Sequence, residues 1–346
     1  MSSLATKVAD LTGPGITDSV GVGGTDLGAT TTAPDGRLVS VFGDTFASAR
    51  AGGRGWRSPV VLFGDPASVP TGVVWTGAAG RRRLFRRGWA RQAVRYVHQL
   101  PRRHGRRLHR VTTVLPTDVL RVGDVLHLHV MVCRELGRVH WTEIHTSHDG
   151  GETWRPSGAR WPGGHQDGLF QMLTWERGDD GRVYAFTTGF QRRHGLVLHR
   201  VPEDRVTEPS AWESWGFTPD DGWAWGRRPT VALPGEFGEL SLRRVPGPGG
   251  TERWLLCVFD AGNYRMDVLD LASPLDDLHT ARRVTVLRGC DWPDEDHAAG
   301  RVAQLYGGYV LPGSRLDDLH LVVSQWNTAR GWPYRAMQFR TDLTAS

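Results

Sequence analysis

Several residue types and patterns are scarce in this 346-residue sequence, and each scarcity excludes a class of protein. The three cysteines, Cys133, Cys257 and Cys290, are too few and too far apart for a disulfide framework or a cysteine metal cluster. No stretch approaches the roughly 18 consecutive apolar residues of a membrane span, so we expect no membrane insertion. The first ten residues hold one lysine and no apolar core, so we expect no secretory signal there.

Lysine is nearly absent, since Lys7 is the only one among 42 basic residues. Residues 81–110 contain 12 arginines and no acidic residue, which leaves 30 basic against 37 acidic residues in the rest of the chain. This distribution argues against a uniformly basic surface, so we expect no nucleic-acid partner. Two interpretations of the arginine-rich segment stay open. It is a solvated loop at a sheet edge, which we favour, or it binds an anionic polymer or a cell-wall surface.

Helical periodicity is also scarce, whereas 44 glycines and 20 prolines spread along the chain indicate many turns and short strands. Short apolar runs separated by turns form five similar triplets. The predicted first strands are 24–30, 116–122, 168–175, 237–244 and 303–310. The second strands are 38–42, 125–132, 183–188, 254–259 and 319–324, and the third are 60–63, 140–146, 196–201, 264–271 and 334–339.

This repetition predicts an all-β fold, a five-bladed β-propeller, with a β-sandwich as the alternative. We expect a single domain over residues 1–346, with the arginine-rich segment inserted at about 78–112 and a strand within 7–12 that completes the last blade. Residues 147–154 read SHDGGETW and match the Asp-box pattern S-x-D-x-G-x-T-W, a hairpin turn common in propellers. We therefore interpret Asp149 as structural.

Two aspartates are symmetric about the first predicted turn, because Asp26 lies nine residues before Asp35 and Asp44 nine residues after it. A three-residue turn makes them cross-strand neighbours with Cβ atoms roughly 4.5–5.5 Å apart. Two carboxylates that close cannot both ionise freely, so one pKa rises, as acid/base chemistry requires. A two-residue turn would put them on opposite faces. Aspartate in glycine-rich motifs also caps turns, so a structural role stays open.

Other polar residues on the inner strands are candidates for binding a polar ligand in the central channel. The set favours a sugar, because hydroxyl-rich rings need amides, carboxylates and aromatic platforms. The candidates are Asp118, Gln171, Glu239, Asn263, Gln304, Tyr306, Gln325 and Asn327. Tryptophans in predicted loops could supply platforms: Trp56, Trp223, Trp225, Trp326 and Trp332. We expect no catalytic metal and no required cofactor, although a structural Ca²⁺ stays an alternative.

An ordered set of motifs over nearly the whole chain, about residues 8–339, resembles the DUF4185 family, which includes the endo-D-arabinanases of glycoside hydrolase family 183. The motifs are GTDLG (24–28), FGDTF (42–46), WRSPV (56–60), LPTDV (115–119), WTEIHTSHDGGETW (141–154), FGELSLR (237–243), FDAGNYRMDVL (259–269), QLYGGYVLP (304–312) and SQWNTARGWPYRAMQF (324–339). The resemblance implies a five-bladed propeller hydrolase that cuts internal α-D-arabinofuranosyl linkages of D-arabinan, as in mycobacterial arabinogalactan and lipoarabinomannan. It also implies that the catalytic pair is Asp26 and Asp44.

The mechanism expected from two carboxylates is general acid and base catalysis. We assign Asp44 as the acid and Asp26 as the base, with inversion; a carboxyl separation of roughly 6.5–9.5 Å favours inversion and about 5–5.5 Å favours retention. We expect a monomer that acts outside the cell on the cell envelope, either as a mature domain or delivered by a bacteriophage particle. Two alternatives stay open. One is a non-catalytic carbohydrate-binding propeller, such as a phage or surface adhesin, and the other a glycosidase for another sugar.

Overall fold

The computed structural model describes residues 5–80, 89–94, 111–135 and 137–345. Most of the arginine-rich segment, residues 81–88 and 95–110, therefore lies outside the described residues. Within those ranges the regular structure is all β, with short 3-10 turns between the strands. No helix of the described residues is long and apolar enough to cross a membrane.

Two four-stranded antiparallel sheets come first along the chain. The first sheet has the order β2-β3-β4-β5, with the bounds β2 Leu27–Thr32, β3 Leu38–Phe42, β4 Val60–Gly64 and β5 Trp75–Ala78. The second has the order β6-β7-β8-β9, with the bounds β6 Thr113–Val122, β7 Val125–Glu135, β8 Arg138–Ser147 and β9 Arg155–Pro162.

The middle of the chain forms one sheet of ten strands. Its strands are β10 Met172–Arg177, β11 Arg182–Thr188, β12 His194–Pro202, β13 Glu213–Thr218, β14 Gly222–Trp225, β15 Leu233–Pro246, β16 Glu252–Asp260, β17 Arg265–Leu271, β18 Arg282–Cys290 and β19 Arg301–Ala303. Two antiparallel runs, beginning at β10 and at β15, are joined where His194 pairs with Phe237 and Leu196 with Leu233. The pairing therefore gives one merged sheet where the sequence predicted two separate ones.

The last sheet joins the two ends of the chain. Its order is β1-β22-β21-β20, with the bounds β1 Thr6–Asp10, β20 Leu305–Val310, β21 Leu319–Trp326 and β22 Tyr334–Thr341. The first strand pairs antiparallel with the last, as in Thr6 with Arg340. This is the arrangement expected for the strand within residues 7–12.

The first strands of the predicted triplets pack on one another in a closed order. Strand β2 contacts β6 and β20, β10 contacts β6 and β15, and β15 contacts β20. The second strands are buried on both faces: in β7, Leu128 and Val130 face one hydrophobic cluster and Met131 and Cys133 another. Burial on both faces explains why a second strand such as residues 254–259, WLLCVF, is a continuous apolar run rather than an alternating one.

A buried ion pair ties four of the five first strands together. Nη2 of Arg243 on β15 donates to Oδ1 of Asp118 on β6 at 2.6 Å and to the carbonyl of Thr30 on β2 at 3.1 Å. The hydroxyl of Thr174 on β10 donates to Oδ2 of Asp118 at 2.7 Å. Both charges are buried and hydrogen-bonded, so removing one partner would leave the other charge uncompensated in the core.

The Asp box has the structural role that its sequence indicates. Oδ1 of Asp149 accepts from the hydroxyl of Ser147 at 2.8 Å and from the backbone N–H of Thr153 at 2.9 Å. Oδ2 accepts from the hydroxyl of Thr153 at 2.6 Å, and Trp154 is buried in the core. The carboxylate of Asp149 is therefore used to close the turn between β8 and β9.

Candidate functional site

A cavity of about 700 Å³ opens where the first strands converge. Its polar lining includes two aspartates, one glutamate, one arginine and several tyrosines, and much of the rest of its wall is apolar. The residues that the argument below uses are Asp26, Asp44, Arg192, Glu239, Tyr306 and Tyr334. The strands that supply the wall are far apart in sequence, so the cavity depends on closure of the whole fold.

β-bulges aim side chains into this cavity. The register shifts between Leu27 and Ala29 on β2 and between Pro116 and Asp118 on β6. It also shifts between Phe237 and Leu240 on β15, which places Glu239 within the bulge. A bulge adds one unpaired residue and bends the strand, so it redirects side chains at the end of a strand.

The first hairpin brings the two predicted catalytic aspartates into the same cavity. Its three-residue turn is closed by the N–H of Ala33 donating to the carbonyl of Arg37 at 2.9 Å. Beyond the bulge, the hydroxyls of Thr25 and Thr45 lie 2.7 Å apart across the two strands. This register places Asp26, directly before β2, opposite Asp44, two residues after β3, one position further towards the turn.

The pKa of the Asp26 carboxyl group lies well above its ordinary value. Burial, followed by the negative charge of Asp44, raises its pKa to about 8, and Glu239 adds to the effect. The hydroxyls of Tyr334 and Tyr306 oppose this shift, and Tyr306 donates to Oδ2 of Asp26 at 3.1 Å. Gly43, which precedes Asp44, leaves room for this carboxyl group: a Cβ atom there would lie 2.4 Å from Oδ1 of Asp26 and would displace it.

The carboxyl group of Asp44 is fixed by two donors on the same oxygen. Nε1 of Trp56 donates to Oδ1 at 2.9 Å, and the hydroxyl of Thr113 at the start of β6 donates to Oδ1 at 2.7 Å. Trp56, predicted as an aromatic platform for a sugar, thus touches the site through its N–H. Two donors on one oxygen set the rotamer of the carboxylate, and such bonds are strongest to its ionised form.

Glu239 and Arg192 form an ion pair at the cavity wall. Nη2 of Arg192 lies 2.5 Å from Oε1 of Glu239, whose side chain is 5% exposed. The guanidinium also lies over the rings of Phe259 at 5.2 Å and Tyr306 at 5.4 Å. The charge of the glutamate is therefore paired, and the arginine is held between two aromatic rings.

Strained backbone concentrates around the cavity. Six non-glycine residues in the described ranges have positive φ. Four of them line the cavity: Leu27, Arg192, Tyr264 and Gln304. Such conformations cost roughly 1–3 kcal/mol each and persist only where the surrounding fold enforces them, which is typical of functional sites.

Of the predicted ligand-binding residues, Glu239, Gln304 and Tyr306 line the cavity. Two others are buried in packing networks. Asp118 is fully buried and bonded to Arg243, and Gln325 donates to the carbonyl of Ala303 at 3.0 Å. We therefore correct both assignments, because neither side chain is available to a ligand.

Three further predicted residues bond to local turns instead of lining the cavity. Nε2 of Gln171 donates to the carbonyl of Gly163 at 2.7 Å. Nδ2 of Asn263 donates to Asp260 at 2.9 Å, and Oδ1 of Asn327 accepts from the backbone N–H groups of residues 329 and 330. The amides of Gln171 and Asn327 thus bond to turn backbone and that of Asn263 to a nearby carboxylate, local roles that polar side chains commonly take.

Sequence reasoning missed Thr113, Arg192 and Tyr334. Thr113 lies at the start of β6, five residues before the aspartate that drew attention to that strand. Arg192 follows Gln191 in the β11–β12 turn and resembles any surface arginine in an arginine-rich chain. Tyr334 begins β22 directly after Pro333, and the sequence predicted it only as the first residue of a third strand.

No group of three or more histidine, cysteine, aspartate or glutamate side chains in the described ranges could hold a metal ion. The cavity does not end at the carboxylates. It continues into a groove of about 460 Å³ and shares with it Ala51, Gly52, Trp326 and Thr328. The site is therefore an extended cleft.

The sequence matches one family model, described as a domain of unknown function, DUF4185, over residues 12–340. An uncharacterized 35.9 kDa protein from Mycolicibacterium smegmatis, named for its position in the asd 3'region, is 29% identical and is covered over 94% of both chains. A relative from Aspergillus versicolor named Notoamide biosynthesis cluster protein J' is 28% identical, over 89% of this chain and 82% of its own.

Solved structures with the same fold include glycoside hydrolases. A putative hydrolase from Bacteroides ovatus superimposes with a TM-score of 0.62 at 14% identity, covering 94% of this chain and 87% of its own. The catalytic domain of a GH62 α-L-arabinofuranosidase from Coprinopsis cinerea superimposes with a TM-score of 0.53 at 10% identity, covering 98% and 97%. At these identities the likeness establishes the fold alone.

Proposed function

This chain belongs to the DUF4185 family, and from that premise we propose that it is a glycoside hydrolase cleaving internal α-D-arabinofuranosyl linkages of D-arabinan. The observation that carries the proposal is a pair of carboxyl groups, Asp26 and Asp44, in one cavity, where burial and the charge of Asp44 raise the pKa of Asp26 to about 8. Most glycoside hydrolases use two carboxyl groups, one as the general acid and the other as the base or nucleophile. No cofactor is needed for this chemistry.

The roles follow from the environments of the two groups. Asp26, with a pKa of about 8, carries the proton and acts as the general acid. Asp44, held by Trp56 and Thr113, acts as the base. This order is the reverse of the one expected from sequence, because the burial that raises the pKa of Asp26 is a tertiary feature.

The reaction step balances with these two groups. Asp26 gives its proton to the glycosidic oxygen as the C1–O bond breaks. Asp44 takes a proton from a water whose oxygen bonds to C1 from the opposite face, and the product has inverted anomeric configuration. Asp26 is then ionised and Asp44 protonated, and proton exchange with solvent restores the starting state.

A single five-bladed propeller domain is the architecture that we propose for this activity. The closed packing order of β2, β6, β10, β15 and β20 supports five blades, with β10–β13 and β15–β18 as two blades linked through β12 and β15. Cleavage within a chain is supported by the groove that continues from the cavity past Trp326. A pocket closed beyond the scissile bond would instead favour release of terminal sugars.

The test is to incubate the protein with mycobacterial arabinogalactan, and separately with other polysaccharides, and to profile the products by chain length. We expect a ladder of arabino-oligosaccharides from D-arabinan, with Asp26→Asn and Asp44→Asn both inactive and folded. Retention of D-arabinan without new reducing ends would identify a non-catalytic carbohydrate-binding propeller, such as a phage or surface adhesin. Products from a different polysaccharide alone would identify another glycosidase. An envelope location would be tested by fractionating native cells or phage particles.

A further inference from the structure

The carboxyl group of Glu239 has one oxygen in use and one without a partner. Oε1 accepts from Arg192, whereas Oε2 is buried and has no hydrogen-bond partner in the described part of the chain. Leaving a buried carboxyl oxygen unpaired is costly, so this oxygen calls for a partner that the described chain does not supply. Glu239 lines the cavity that holds Asp26 and Asp44, so a ligand bound there is within its reach.

A β-bulge and a glycine position the carboxylate of Glu239. Glu239 lies in the bulge of β15, where residues 238 and 239 together oppose Phe259 on β16. The residue before it is glycine, and a Cβ atom at Gly238 would lie 2.9 Å from the ring of Phe259 and 3.1 Å from Arg192. The bulge and the glycine thus let the arginine pack closely beside the glutamate.

Arg192 reaches the site from a strained backbone position. Its φ is 56°, and its guanidinium lies over the rings of Phe259 and Tyr306. Tyr306 is also the residue that donates to Asp26. Arg192 therefore connects the glutamate to the tyrosine beside the proposed acid, and it contacts both through fixed geometry.

A second unpaired group lies on the wall that the cavity shares with the groove. Nε1 of Trp326 is buried and has no acceptor within the described ranges. An indole N–H can only donate, and a carboxylate oxygen can only accept. The cavity therefore offers an acceptor at Glu239 and a donor at Trp326 to the same bound molecule.

We infer that Glu239 and Trp326 recognise two hydroxyl groups of the sugar bound beside Asp26, with Arg192 as the positioning residue for Glu239. One hydroxyl donates to Oε2 of Glu239, and another oxygen accepts from Nε1 of Trp326. The ligand class is a sugar with free hydroxyls, and the inference rests on the proposed function for this choice. A site built to bond a hydroxyl discriminates strongly against analogues that lack it.

The test compares Glu239→Gln, Trp326→Phe and Arg192→Lys with the wild-type chain on an α-linked D-arabino-oligosaccharide and on analogues lacking single hydroxyls. At pH 6, where Asp26 stays protonated, we expect Glu239→Gln to raise KM about 10-fold or more with kcat within about threefold. Trp326→Phe raises KM by about three- to tenfold. The analogue that lacks the hydroxyl bound by Glu239 should have the same KM with the wild type and with Glu239→Gln, because neither pair can form that hydrogen bond.

The control is Glu203→Gln, which removes a more exposed glutamate–arginine pair, with Arg177 at 2.6 Å, outside the cavity. Its KM stays at the wild-type value. If hydrolysis persists, two results would overturn the inference. One is a KM for Glu239→Gln equal to that of Glu203→Gln. The other is that every deoxy analogue loses the same affinity for Glu239→Gln as for the wild type. A chain that binds the oligosaccharide without cleaving it overturns the proposed function, and calorimetric Kd values then replace KM. Absence of both binding and cleavage overturns both.

Discussion

The hydroxyl of Tyr306 donates a 3.1 Å hydrogen bond to Oδ2 of Asp26, joining residues that are 280 positions apart in sequence. Tyr306 lies on β20, the first strand of the last sheet, and Asp26 directly precedes β2, the first strand of the first sheet. The contact therefore forms only when the two ends of the chain meet. It lowers the pKa of Asp26, but burial and the charge of Asp44 outweigh it.

The raised pKa of Asp26 predicts how activity depends on pH. A general acid works while it holds its proton, so kcat/KM should fall as pH rises through about 8. Tyr306→Phe removes a contact that favours the ionised form, so the fall should move to higher pH by about 0.5–1 unit. The measurement is kcat/KM between pH 5 and 10 in both proteins.

A matched control for Tyr306→Phe is Tyr184→Phe, whose hydroxyl donates to Asp180 at 2.9 Å outside the cavity. The control should leave the profile in place. A profile that falls at the same pH in both variants would show that Tyr306 does not act on the acid.

Asp26 should also make the stability of the protein depend on pH. Its pKa is raised from 3.8 to about 8, so between these values the folded state holds a proton that the unfolded state releases. The stabilisation from this group is complete below about pH 4 and is lost as pH rises towards 8. Asp26→Asn removes the loss, so its Tm should exceed that of the wild type at pH 8 and be closer to it at pH 4.

Thermal unfolding of both proteins at the two pH values checks this expectation. Asp35→Asn, at the exposed turn of the same hairpin, is the control and should behave as the wild type at both. A variant Asp26→Asn that gains nothing at pH 8 relative to pH 4 would mean that the carboxyl group is not protonated in the fold.

The strand pattern was predictable because each apolar run is short, strongly apolar and bounded by a turn. Strand β3 has the predicted bounds, and β4 and β17 differ by one residue at one end. The merging of two sheets was not predictable, since it rests on two pairs between β12 and β15 that have no signal in the sequence. Sheet boundaries depend on tertiary contacts rather than on local pattern.

Among the site residues, too, local pattern identified some roles, whereas contacts between sheets decided others. Asp26 and Asp44 were found from symmetric spacing about a turn, which is local information. Asp118 and Gln325 sit in equally suggestive motifs, yet they bond to Arg243 and Ala303 in buried networks. Polar residues on inner strands are therefore ambiguous, because their partners come from other sheets.

The two donors to Asp44 should set its efficiency as a base. Trp56→Phe and Thr113→Val each remove one hydrogen bond to Oδ1 while preserving most of the side-chain volume. We expect each to lower kcat about 10-fold, with little change in KM, because a loosened carboxylate aligns the attacking water less well. Thr112→Val is the control, since its hydroxyl donates to the carbonyl of Cys133. Steady-state kinetics that show a higher KM with an unchanged kcat would instead assign Trp56 and Thr113 to substrate binding.

Because Asp118 is assigned to packing, its substitution should lower stability and leave the kinetics unchanged. Asp118→Asn leaves the buried guanidinium of Arg243 without its counter-charge, which should lower the free energy of unfolding by about 3–5 kcal/mol. KM and kcat of the folded fraction should be unchanged, because the side chain faces neighbouring strands and not the cavity. Urea unfolding and kinetics at 15 °C below the Tm of the variant measure the two effects separately.

The control is Asp179→Asn, which breaks the exposed pair with Arg244 at 2.6 Å and should leave stability nearly unchanged. A variant Asp118→Asn with unchanged stability and a raised KM would return this residue to the substrate site, because only a ligand contact would then account for its effect.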